Sequence, residues 1–130
     1  MFNALLDKDD RHHRDTTKFV GDADETLVVP DVILPEISYL VNKYLNVEVE
    51  VKLLSGIREG ELALEIFLPA DLERTIEVIS TYMDQKIGFV DAGIVAMAER
   101  LSITKILTLD NHFRLIKPRH TSAFEVYPLI

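Results

Sequence analysis

Four short runs rich in aliphatic residues punctuate this chain: TLVVP (26–30), ELALEIF (61–67), KILTLD (105–110) and FEVYP (124–128). Each has the length and β-branched or apolar content of a buried strand. Between them the apolar residues recur at helical intervals. Ile37, Leu40, Val41, Tyr44 and Leu45 make one stripe; Leu72, Ile76, Ile79, Tyr82 and Met83 make a second, on a helix starting at Asp71. A third helix, DAGIVAMAERL (91–101), has Asp91 as its expected N-cap and Ile94, Val95, Ala98 and Leu101 as its expected inner face. Strands alternating with helices predict an α/β fold with a parallel sheet covered on both faces. One segment, NVEVEVK (46–52), alternates with period two like a strand, but the expectation is a helix running on towards Gly56.

With 130 residues, 48% of them hydrophobic, the chain is expected to form a single domain spanning 1–130. It has no cysteine, which excludes disulfides and thiolate-bound metals. It has neither a membrane-length apolar run nor the basic-then-apolar start of a signal peptide, so the expectation is a cytoplasmic protein without membrane attachment. The net charge of −8 excludes broad phosphate neutralisation as a mode of nucleic-acid binding. An RNA or DNA partner would have to be held through metal ions or a local basic patch; otherwise the partners are proteins.

Three carboxylates fall where open parallel sheets build their sites, beyond the carboxyl ends of strands. Glu36 follows TLVVP at a helix start, just after Pro35; Asp91 opens its helix; Asp110 ends KILTLD. Gathered on one rim they would repel one another unless a hard divalent cation, Mg²⁺ or Mn²⁺, lay between them. Such ions can activate water and stabilise charge on a phosphoryl group. Thr108, two residues before Asp110, shares its strand face. Taken singly, an acid at a helix N-terminus is more often a cap than a ligand, and a terminal strand aspartate more often belongs to a turn. The acids Asp7, Asp9, Asp10, Asp22, Asp24 and Glu25 read as solvated surface. So do His12 and His13, which as helix neighbours point apart. NHFRLIKPRH (111–120) has three basic residues, Arg114, Lys117 and Arg119, and no acid. It is a candidate for RNA phosphate contacts or a basic loop balancing its neighbours.

In this order the residues resemble the PIN-domain family, and within it the VapC-type toxin ribonucleases of toxin–antitoxin pairs. The most specific stretch is IGFVDAGIVAMAERLSITKILTLDNHF (87–113), with VVPDVILPEISYL (28–40) and ALLDKDDRHH (4–13) in support. The resemblance implies a parallel sheet sandwiched between helices and Mg²⁺- or Mn²⁺-dependent hydrolysis of RNA. It also implies a cognate antitoxin and a homodimer. Glu36, Asp91 and Asp110 would be the catalytic metal ligands, with Thr108 supporting. Asn111 stands beside Asp110, near where some members carry a fourth acid. The family begins with a strand ending in a metal-binding aspartate, ahead of the helix that 2–7 resembles. By spacing that strand would precede Met1, so the expectation is a PIN-like sheet missing its N-terminal strand, with impaired cleavage. The alternative is a catalytically inactive PIN-like module that binds an antitoxin or another protein. A phosphoacceptor receiver domain is a third possibility, disfavoured because Lys105 starts its strand at the end opposite Asp110.

Overall fold

The computed structural model describes residues 27–108 and 112–128. The expected first helix, His12, His13, the early acids, Asp110 and Asn111 lie outside these. The described elements are β1 (Val28–Pro30), α1 (Leu34–Tyr44), α2 (Val47–Arg58), β2 (Ala63–Glu65), α3 (Asp71–Thr81), a 3₁₀ turn (Met83–Gln85), α4 (Phe89–Arg100), β3 (Lys105–Thr108), α5 (His112–Leu115) and β4 (Glu125–Pro128). The chain packs as two compact units that divide between Glu65 and Ile66. Both strand pairs are parallel, as the alternation of elements predicts: β1 with β2, and β3 with β4.

In the first unit, Val29, Ile37, Val41 and Leu53 form a core flanked by Leu27, Ile33, Leu34, Val49, Ile57 and Leu62. The α1 stripe is correct at Ile37 and Val41, whereas Tyr44 and Leu45 are exposed. The alternating segment is helical. Asn46 adopts extended backbone and its side chain accepts the Val49 N–H at 2.8 Å, capping α2. At about 100° per residue, Val47, Val51 and Leu54 fall on one side of α2 and Val49, Leu53 and Gly56 nearly opposite. The period-two pattern is thus a helix apolar on two faces. Its inner face carries the buried Leu53 and Gly56, and Val47, Val51 and Leu54 are exposed. Glu50 joins the two helices, accepting hydrogen bonds from Ser38 and, at 2.8 Å, from Asn42.

In the second unit, α4 is the central element. Every residue from Ala92 to Ala98 is buried, so the helix is enclosed all round rather than along the single face expected. Small residues permit this. A Cβ on Gly93 would come within 3.3 Å of the Phe67 ring.

The expected stripe of α3 is corrected. The helix buries Asp71, Thr75 and Val78 and leaves Leu72 and Ile76 exposed, and Met83, in the 3₁₀ turn beyond it, is exposed too. The reason is polar. Asp71 accepts from Arg100 Nε at 3.0 Å and from the Leu68 N–H at 2.8 Å, while the Thr75 hydroxyl donates to the Asp71 carbonyl at 2.7 Å. Arg74 grips Glu99 through Nε at 2.8 Å and Nη2 at 3.0 Å. These pairs turn the Asp71 side of α3 towards α4. The apolar stripe, about 100° round the helix, is left on the outside.

Candidate active site

Glu36 stands in the first turn of α1, behind a proline at the helix start. Ile33, the N-cap, makes no side-chain hydrogen bond, so the carboxylate supplies the negative charge that the helix N-terminus favours. It is exposed, with no hydrogen bond or ion pair among the described residues.

Asp91 is not the N-cap of its helix, as the sequence suggests. Helix α4 begins at Phe89 after an extended Gly88, which places Asp91 in the first turn. The overlooked signal is that glycine: Gly88 can break the extended chain into helix, and Phe89 and Val90 continue it. Asp91 keeps the favourable dipole position and is half-buried. Both candidate carboxylates thus hold the same place on two different helices.

Thr108 ends β3, its backbone in register with Pro128 of β4. Asp110 and Asn111 fall in the stretch outside the described residues. Among the described residues no cluster of three or more His, Asp or Glu side chains is close enough to hold a metal ion.

The basic segment 111–120 divides. Arg114 lies in α5. Lys117 is exposed, but its main chain is held: its N–H donates to the Tyr82 hydroxyl at 2.8 Å and its carbonyl accepts from Arg74 Nη2 at 3.4 Å. The Arg119 N–H donates to Glu99 at 2.8 Å and its guanidinium donates to Glu77. His120 Nε2 donates to the Ile103 carbonyl at 2.8 Å. Residues 117–120 are therefore tied to α3 and its C-cap Tyr82 and, through Arg119, to the C-terminal end of α4, about 12 Å along that helix from Asp91. Here Arg74, Arg100 and Arg119 meet Asp71, Glu77 and Glu99, so these three guanidinium groups are already balanced by carboxylates. The Arg119 hydrogen bond, followed by the charges of Arg119 and Arg74, holds the Glu77 carboxyl below its ordinary range. Glu99 in turn, more than any other group, raises Arg74.

A model of the PIN domain matches residues 1–117. The chain belongs to the PIN-domain family. Within it the likeness is to the VapC proteins. Over 126 residues it is 30% identical to ribonuclease VapC26 of Mycobacterium tuberculosis, covering 96% of this chain and 93% of that protein. The crystal structure of M. tuberculosis VapC20, described as a sarcin–ricin loop cleaving toxin, superposes with a TM-score of 0.62 at 21% identity and 78% coverage of each chain. The resemblance carried by residues 87–113 is borne out, and with it the α/β, PIN-like fold.

Proposed function

We propose that this chain is a VapC-type endoribonuclease that hydrolyses RNA phosphodiester bonds at a divalent-metal site built from Glu36, Asp91 and Asp110. VapC nucleases of the PIN family generally depend on divalent metal. The candidate donors here are all carboxylate oxygens, which suit a hard cation, and Mg²⁺ or Mn²⁺ is the specific assignment. The observation that carries the reading is the matched placement of Glu36 and Asp91 in the first turns of α1 and α4, in a chain similar to a named ribonuclease. When bound, the ion would supply Lewis acidity at the phosphoryl group and an activated water. The carboxylates would fix its position, with Thr108 and Asn111 supporting. Arg114 and Lys117 remain the candidate RNA contacts of the basic segment, while Arg119 is engaged by Glu77.

An antitoxin partner, a homodimer and a cytoplasmic location complete the proposal. No helix among the described residues is long and apolar enough to cross a membrane. The test is cleavage of a structured RNA with Mn²⁺ by the unaltered chain and by Asp91→Asn. Loss of cleavage in the variant is the expected result, and equal activity in both would remove the assignment. Calorimetry with Mn²⁺ separates the alternative: an inactive antitoxin-binding module takes up no metal at millimolar concentration, and a nuclease does.

A further inference from the structure

Phe89 opens α4, two residues ahead of Asp91, and is 46% exposed. A single exposed apolar side chain needs no explanation by itself. Phe89 is set apart by its bracing and its position. Its ring meets Phe67 with centroids 5.3 Å apart and planes at 60°. Phe67 in turn lies against the α4 backbone at Gly93, where even a methyl group would be crowded. A ring braced by a second, tilted ring and about half open to solvent offers an ordered apolar surface.

The electrostatics say what such a surface is for. The net charge is −8, and Arg119 of the basic segment is already paired with Glu77. Phosphate contacts can therefore supply only a modest part of the affinity for RNA. Beside the proposed metal ion, a further source of affinity is the base, whose π-face stacks on aromatic side chains whatever its identity. Unpaired RNA bases are recognised in this way.

We infer that Phe89 is a substrate-positioning residue that stacks an unpaired base of the RNA close to the phosphate served by Asp91. The inference rests on the ribonuclease reading and adds a contact to it. Side chains at i and i+2 of a helix diverge, so the stacked base belongs to a nucleotide neighbouring the scissile bond rather than to the bond itself.

Two experiments test it. The chain contains no tryptophan, so Phe89→Trp introduces a single fluorophore at the site, and Met83→Trp introduces one at an exposed position on another element. Each is combined with Asp91→Asn to prevent cleavage and titrated with a short single-stranded oligoadenylate. Quenching at position 89 and none at 83 is expected; no quenching at 89, or equal quenching at both, overturns the proposal. In steady-state cleavage, Phe89→Ala raises KM about tenfold, the worth of one base–aromatic stack, with kcat little changed. Phe89→Tyr restores KM and Phe89→Leu does not. Full rescue by leucine would mean that the side chain only packs, and would sink stacking while leaving the nuclease assignment intact. Absence of cleavage by the unaltered chain sinks that assignment instead, and the quenching experiment still reports on the base.

Discussion

At Asp71 a carboxylate that is only 4% exposed takes the Leu68 N–H and the Arg100 guanidinium, whose Nη2 also donates to the Ile66 carbonyl at 3.0 Å. Asp71→Ala leaves Arg100 without its counter-charge and the Leu68 N–H without its side-chain acceptor. We expect a loss of about 2–4 kcal/mol in urea unfolding. Glu50 offers a different residue-scale test. Its hydrogen bonds from Asn42, and then from Ser38, hold its carboxyl below the usual range. A carboxyl lowered in the folded state contributes stability above its unfolded pKa of about 4.3, and loses it as the pH falls through the lower folded value. The Tm of Glu50→Gln should therefore depend less steeply on pH than that of the unaltered chain over this acid range. Equal dependence would show the clasp to be without weight. Sequence alone could name Asp91 but not its helix position, because a capping aspartate and one in the first turn differ only in where the preceding residues turn helical. It named Asp71 as a helix start but had no means of pairing it with Arg100, 29 residues on.

Among the elements, α2 and α3 show where pattern reading succeeds and where it stops. The alternation in 46–52 is compatible with strand or helix, and a local event, the Asn46 cap on Val49 N–H, accompanies the helix. On α3 the apolar stripe is real, but long-range ion pairs decide which side faces α4, and one-dimensional spacing carries no information about Arg100 or Glu99. Two contrasts follow. Leu53→Ala, on the inner face of α2, should cost about 2–4 kcal/mol, whereas Val51→Lys on the outer face should change unfolding by no more than about 0.5 kcal/mol. A large loss for Val51→Lys would show that face to be covered in solution. On α4, Glu99→Ala removes the acceptor shared by Arg74 and the Arg119 N–H. A drop of about 2–3 kcal/mol is expected, with hydrogen exchange accelerated at the Arg119 amide.

For the whole molecule, the α/β class, the parallel pairing and the family were legible, because burying short aliphatic strands between helices leaves few other arrangements. The proposed metal ligands could be named from the sequence only as a set, Glu36, Asp91 and Asp110, and the third of them lies outside the described residues. Net acidity makes a prediction of its own. With Arg119 paired to Glu77, RNA binding should release few counterions. The slope of log affinity against log salt should correspond to about two phosphates. A steep slope, of the size basic nucleic-acid binders show, would mean that the affinity comes from phosphate neutralisation after all.

The tether at 117–120 holds Lys117 by its amide and carbonyl, and by no side-chain bond among the described residues. A grip on the main chain is indifferent to what the position bears. Selection can therefore rewrite residue 117 to suit whatever molecule approaches it, and the strand that follows keeps its place.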